Sequence, residues 1–202
     1  MAKKTQHLID AALDLAAEKG WQAVTLADVA VRAKQPLAEV YVHFQSRNDI
    51  LRAFLARIDE QMMSGEVDAD ASPRDRVFEV TMRRFEALTP HKQAVRSILR
   101  QGVDPVTALC GARRFARSMA LLLEAAGIGS AGLTGLVRVN GMAAIYLYTM
   151  RCWLRDDTPD LARTMAALDT ALRRADSVAG SLRRCGAARS SHIPSAEIQP
   201  ET

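Results

Sequence analysis

Apolar side chains recur three and four positions apart almost from the first residue, the spacing of one face of an α-helix. In TQHLIDAALDLAAEK, residues 5–19, that face is Leu8, Ile9, Ala12, Leu13, Leu15 and Ala16, and Gly20 ends it. Trp21, Ala23 and Val24 make a short apolar connection. Thr25 stands as an N-cap with Asp28 three residues on, which predicts a second helix from Leu26 through Val29, Ala30 and Ala33. Pro36 suits the first turn of a third helix, where its missing N–H has no helical partner. Leu37, Val40, Tyr41 and Phe44 then give an i, i+3, i+4, i+7 face. Ser46 caps a fourth helix, Arg47 to about Met63, with Ile50, Leu51, Phe54, Leu55 and Ile58 inward. A bracing helix followed by two short helices across a Lys34-Gln35-Pro36 turn is a helix-turn-helix.

The pattern breaks at SGEVDADASP, residues 64–73, which reads as a loop or hinge, and then resumes. DRVFEVTMRRFEAL, residues 75–88, turns Val77, Phe78, Val80, Thr81, Phe85 and Leu88 inward. Thr89-Pro90 opens another helix, and a longer one follows Asp104-Pro105 as far as GIGSAG. Two more are predicted over 131–155 and 159–184. In the last, Leu161, Met165, Leu168, Leu172, Ala175, Ala179 and Leu182 form a seam at alternating four- and three-residue steps beside Arg163, Arg173, Arg174, Arg183 and Arg184. Such a seam fits a packed core or dimer interface, or a helix lying on a membrane surface. Asp157, Thr158, Pro159 and Asp160 are placed as its N-cap and first turn. There is no period-two alternation and no internal repeat. The expected fold is all-α and in two parts: a helix-turn-helix domain over 1–50 and a helical ligand-binding and dimerisation domain over 51–185. A polar, disordered tail is expected over 186–202.

Composition narrows the function. No run of about 18 apolar residues occurs, and MAKKTQHLIDAAL lacks the apolar core of a signal peptide, so a cytoplasmic protein is expected. Cys110, Cys152 and Cys185 have no metal-ligand spacing and read as buried or incidental thiols, with a redox pair as the other reading. The net charge is +4, but residues 1–64 hold eight Lys/Arg against eight Asp/Glu, so the helix-turn-helix end is neutral. His7, His43, His91 and His192 are scattered, and no catalytic motif or phosphate loop appears, so neither an enzyme nor a cofactor is expected.

The stretch TLADVAVRAKQPLAEVYVHFQSRNDIL resembles the N-terminal DNA-binding domain of TetR-type transcriptional regulators at Thr25, Val29, Ala30, Ala33, Val40, Tyr41, His43, Phe44, Arg47, Asp49 and Leu51. The resemblance implies that Thr25, Tyr41, His43 and Arg47 contact phosphate. Where the family has a Gly-Val-Ser turn and then Gly and Thr/Ser, this chain has Lys34, Gln35, Pro36, Ala38 and Glu39. Lys34 and Gln35 can reach phosphate or base edges. Leu37 joins the same candidate surface. Glu39 is either repelled by phosphate or accepts from a cytosine amine.

The remainder, through RDRVFEVTMRRFEAL and WLRDDTPDLARTMAALDTALRRA, resembles the C-terminal domain of coenzyme Q biosynthesis accessory proteins over residues 74–176. That resemblance implies a dimer, an apolar lipid-holding cavity and a last helix able to touch membranes. Met82, Phe85, Met119, Leu122, Met142, Ile145, Tyr146, Met150 and Trp153, with Tyr148, supply a soft apolar set that is either plain core or the lining of a ligand pocket. Arg138, Asn140 and Arg151 interrupt apolar faces and either orient a polar head or pair with Glu124 or Asp156. The expectation is a homodimeric regulator, a repressor, that binds double-stranded operator DNA and senses an apolar small molecule or lipid. A lipid- or isoprenoid-binding protein with a vestigial helix-turn-helix, acting in ubiquinone biosynthesis, is the rival.

Overall fold

The structure is a computed structural model that describes residues 2–100 and 105–190, without side-chain detail at 2, 105–110, 178–179 and 181–190. Among these residues there are nine α-helices, two 3₁₀ turns and no strand: α1 (Ala2–Lys19), α2 (Leu26–Arg32), α3 (Leu37–His43), α4 (Arg47–Met63), α5 (Pro73–Leu88), α6 (Lys92–Arg100), α7 (Pro105–Ala125), α8 (Gly132–Trp153) and α9 (Ala162–Ser190). Most of the predicted apolar stripes are buried, but of the expected α3 face only Val40 and Phe44 are; Leu37 and Tyr41 are 41% and 53% exposed. Leu8, Ile9, Ala12, Leu13, Leu15 and Ala16 of α1 are all inside, and one continuous core runs from them through Phe54, Phe85 and Trp153 to Leu172.

The helix ends follow their caps. Thr25 and Asp28 form a reciprocal capping box at α2. The Ser46 and Ser72 side chains accept from Asp49 N and Asp75 N at the starts of α4 and α5. Pro36 is the N-cap of α3 rather than part of its first turn, with an extended ψ of 140°. Thr89–His91 forms a 3₁₀ turn ahead of α6. The last helix begins at Ala162, three residues later than its sequence predicts, because Leu161 adopts a left-handed φ of 54°. Asp156, a residue with no predicted capping role, supplies the missing partners. One carboxylate oxygen accepts from Thr164 N (2.8 Å) and Thr164 Oγ1 (2.7 Å), the other from Thr158 N (3.2 Å) and Thr158 Oγ1 (2.5 Å). Thr158 and Asp160 do contribute, both accepting from Ala162 N. Asp157 stays exposed, 3.9 Å from Lys92 Nζ.

Residues 64–72 form a pinned loop. Arg83 donates to Met62 O, Gly65 O and Glu66 O, and Arg76 to Ala69 O, Ala71 O and Ala126 O. Arg83, which also forms an ion pair with Glu79, is therefore the clasp of this loop. The expected pairings of Arg138 and Asn140 with carboxylates do not form; they donate to Gly129 O and Leu136 O. Leu161, just ahead of α9, and Leu168 and Leu172 within it are buried, while Arg173, Arg174 and Ala175 are exposed. Over that stretch the apolar seam faces the chain's own core, which removes the apolar face a membrane-surface helix needs. The rest of the seam, Ala179 and Leu182, and Arg183, Arg184, Cys110, Cys185 and 191–202 lie outside the described side chains. Cys152 is a half-buried free thiol. No described helix is long and apolar enough to cross a membrane.

The core also holds charge. Arg84 of α5 is 4% exposed and Asp59 of α4 is 8% exposed. They form a salt bridge, Ser118 Oγ of α7 donates to Asp59 Oδ1 at 2.6 Å, and Arg84 Nε donates to Tyr146 Oη of α8 at 3.0 Å. Burial opposes the charge on Arg84, but Tyr146 and Asp59 outweigh it and hold the guanidinium above its ordinary pKa. Removing one partner of such a pair strands the other in the core. Asp59→Ala should therefore lower unfolding stability by about 3–5 kcal/mol, and Asp59→Leu combined with Arg84→Met should recover most of the loss in urea titrations.

Asp156 offers a pH test. Burial alone would raise its pKa, yet the hydrogen bonds from Thr158 and Thr164 bring it down to about 2. Its contribution is thus present above the ordinary aspartate pKa and is lost as pH falls from about 4 through about 2. Asp156→Asn should cost roughly 2 kcal/mol at neutral pH, with the gap from the parent chain closing at pH 2 in acid-unfolding curves.

Candidate nucleic-acid interface

Residues 26–43 build a compact reading element. Ala33 N donates to Val29 O, Lys34 N to Val31 O and Gln35 N to Ala30 O, a Schellman closure of α2. That closure needs a left-handed residue, and Lys34 supplies it with a φ of 53°. Glycine would adopt this conformation freely, whereas a lysine pays about 1 kcal/mol for it. The local backbone thus gains nothing from lysine here, which directs attention to the exposed ammonium it carries.

At about 100° per residue, Leu37, Ala38, Tyr41 and Val42 share one side of α3. All four are exposed, Tyr41 at 53% and Val42 at 77%. Val40 and Phe44 point the opposite way into the core. Glu39 and His43 fall on a flank, where Lys4 Nζ of α1 meets Glu39 Oε1 at 2.6 Å. The Lys4 hydrogen bond holds the Glu39 carboxyl below its usual range. Neither sequence-based picture of Glu39, phosphate repulsion or cytosine reading, included this internal counter-ion.

The other candidates are placed as follows. The Thr25 hydroxyl bonds to Asp28 at 2.6 Å and accepts from Asp28 N at 3.1 Å. Asp28 is drawn down to about 2 by Lys19 and then by Thr25. Thr25 is therefore committed to the cap, and what it presents outward is the N-terminus of α2. Arg47 donates to Gln22 O at 2.5 Å, tying α4 to the 3₁₀ turn at Trp21–Ala23. Gln35 is half-buried. Ala38 and Val42 were not singled out as site residues by sequence; the signal was their position on the wheel opposite Val40 and Phe44.

The neutrality of residues 1–64 also resolves into pairs. Asp10, Glu18, Asp28, Glu39 and Asp49 each bind a Lys or Arg of the same segment. Lys34 and Arg47 have no carboxylate partner among the described residues.

The nine apolar candidates of the C-terminal half lie together. Met82, Phe85, Met119, Leu122, Met142, Tyr146 and Trp153 are buried, and Ile145 and Met150 are half-buried against them. Phe85 stacks on Tyr146 at 5.0 Å and tilts against Trp153 at 5.8 Å. These rings fill the space between them. The nearby cavity, ≈ 80 Å³, is lined instead by Leu55, Phe115 and Arg114 with the Asp59–Arg84–Ser118 cluster. No group of three His, Cys, Asp or Glu side chains suited to a metal occurs among the described residues.

The sequence model described as bacterial regulatory proteins, tetR family, matches residues 8–54. Residues 8–54 are thus similar to the domain that defines this family. The whole fold is TetR-like as well. The TetR transcriptional regulator from Nitrosomonas europaea superposes with a TM-score of 0.72 at 23% identity, over 85% of this chain and 97% of that one. The dihydroxyacetone kinase operon activator DhaS gives 0.62 at 14% identity, over 88% and 98%. SmeT, solved as a triclosan complex, gives 0.59 at 19% identity, over 85% and 91%. No curated protein matches the chain. The coenzyme Q accessory likeness of residues 74–176 gains no support from these matches. In the tetR-type domain, the matched span ends at Phe54, inside α4, so the helix that closes the DNA-facing domain continues into the body.

Lys34→Gly should raise unfolding stability by about 1 kcal/mol, measured by urea titration, because glycine relieves the left-handed strain at the α2–α3 turn.

Proposed function

We propose that the protein is a TetR-type transcriptional regulator that binds operator DNA as a homodimer. The observation that carries this is the outward face of α3, with Leu37, Ala38, Tyr41 and Val42 exposed beside the strained, unpaired Lys34. Lys34 and the N-terminus of α2 supply contacts to phosphate. Tyr41 adds a hydroxyl to the same backbone contacts. Ala38 and Val42 have no hydrogen-bonding side chain, so they read bases by apolar contact with thymine C5-methyl groups. The preferred half-site is accordingly rich in T at the positions facing α3. Glu39 and His43, on the flank with Lys4, serve α3's placement on α1 rather than base reading.

The dimer forms through α8. Leu133, Leu136, Val137, Leu147 and Tyr148 are between 46% and 85% exposed, an apolar surface too extensive for a helix that faces only water. A two-fold pairing of this face with a second copy covers it and presents two α3 helices to successive major grooves. An apolar effector fits this scheme through the ≈ 80 Å³ cavity walled by Leu55 and Phe115. A ligand larger than that volume has to part α4 from α7, and α4 carries the DNA-facing domain. Repression follows where the operator overlaps a promoter; DhaS, of similar fold, is described as an activator, so the fold does not set the sign.

Selection from random duplexes should return near-palindromic sites with T-rich half-sites. Lys34→Ala and Tyr41→Ala should each weaken binding to them about tenfold, an interaction of about 1.4 kcal/mol, and Lys34→Ala should reduce the log–log salt slope by about 0.9. Glu39→Thr, by freeing Lys4, should raise affinity for all sequences alike. No salt-sensitive binding to any duplex would defeat this reading.

A further inference from the structure

A second charged region lies at the opposite side of α6 from the core. Arg96 and Arg100 of α6 face Arg151 of α8 and Arg155 just beyond it across an open cleft of ≈ 580 Å³, floored by Leu99 and Leu154. A smaller adjoining hollow, ≈ 410 Å³, continues past Arg151 and Arg155 to Tyr148, Cys152 and Arg163. One carboxylate, Asp157, stands at the rim, 88% exposed and 3.9 Å from Lys92 Nζ. Arg100, Arg151, Arg155 and Arg163 form no salt bridge among the described residues. Other arginines of the chain without a carboxylate partner, such as Arg47, Arg76 and Arg138, donate instead to a main-chain carbonyl, and Arg100, Arg151, Arg155 and Arg163 make no such bond among the described residues. Several guanidiniums facing one cleft repel one another unless an anion enters, and the guanidinium fork matches phosphate oxygens in pairs. Leu99 is 55% exposed, so apolar surface runs beside the charge.

We propose that this cleft binds a small phosphate-bearing amphiphile, its phosphate held by Arg100, Arg151 and Arg155 and its apolar part laid over Leu99 and Leu154. The site is separate from the Asp59–Arg84 cavity and from the α3 surface. Arg96 is already engaged, donating to Leu154 O and to Gln93 Oε1, so it fixes α6 to the end of α8 while its neighbours take the ligand. Binding is coupled to the DNA-facing domain through α6. Trp21 N, in the turn between α1 and α2, donates to Ser97 Oγ at 2.9 Å, and α6 packs along α1. Drawing Arg100 toward Arg151 turns α6 about its Arg96–Leu154 tether, and the Ser97 contact carries that turn to the N-terminal domain. This coupling rests on the DNA-binding reading; the site itself does not.

The test titrates the full-length protein with monomeric dodecyl phosphate, inorganic pyrophosphate and dodecyl maltoside by isothermal calorimetry. Dodecyl phosphate should bind once per chain, pyrophosphate more weakly at the same place, and the uncharged maltoside not at all. Arg100→Gln with Arg151→Gln, both exposed positions, should weaken dodecyl phosphate at least tenfold with an unchanged circular dichroism spectrum. Equal binding of the maltoside, unchanged binding in the double variant, or no binding of either phosphate overturns the site. In the second arm, saturating dodecyl phosphate should change the affinity for a selected duplex, and Ser97→Ala should remove that change while leaving dodecyl phosphate affinity intact. A duplex affinity indifferent to ligand overturns the coupling alone, and a protein that binds dodecyl phosphate but no DNA overturns the regulator reading alone.

Discussion

The buried contact between Asp59 and Arg84 is what the rest of the molecule is built around. It joins α4 to α5 directly, reaches α7 through Ser118 and α8 through Tyr146, and so fixes four helices at one point. Because α4 begins at Arg47 in the N-terminal domain and passes through this point, that domain is tied to the body along one helix, with α6 packed on α1 as a second tie. Near the middle of α4, Arg57 holds Asp10 of α1 at 2.7 Å and approaches His91 at 3.3 Å. His91 is half-buried, and desolvation and then Arg57 lower its pKa. A fold held this way transmits displacement well, since a change at the anchor reaches what is mounted on α4.

Much of the architecture was legible in the sequence, for a physical reason. Helix faces are recorded as periodicity, and caps as single residues such as Thr25, Ser46 and Gly20. The fold class and the inward residues of α1, α4 and α5 follow from these local rules. What was not legible depends on contacts distant in sequence. Asp59 and Arg84 are polar letters on apolar faces, and only their meeting across two helices makes them core. Asp156 caps a helix that starts six residues later, around a left-handed Leu161 that no propensity predicts. Arg83 looked like half of a surface pair, yet it clasps three carbonyls.

The candidate site divides in the same manner. Helical spacing placed α3 but grouped Leu37, Val40, Tyr41 and Phe44 on one face; packing takes only Val40 and Phe44 and leaves Leu37 and Tyr41 outward with Ala38 and Val42. The uncertainty over Glu39 came from counting charges without knowing their partners. Once Lys4 is seen at 2.6 Å, the carboxylate belongs to the packing of α3 on α1. The same holds for the neutral charge of residues 1–64: five of its eight carboxylates are paired within the segment, while Lys34 and Arg47 have no carboxylate partner among the described residues, and their placement outweighs the total. The soft apolar set of the C-terminal half comes together in the core, with Phe85 stacked on Tyr146 and tilted against Trp153.

The exposed apolar face of α3 has a chemical corollary. A surface that distinguishes bases by a methyl group at C5 responds to the methyl, not to the base that carries it. Cytosine methylated at C5 offers the same group in the same groove position as thymine. With Ala38 and Val42 as the contact, enzymatic methylation of a C within the half-site would convert a poor contact into a favourable one, and occupancy of the operator would then report the modification state of the DNA as well as its sequence.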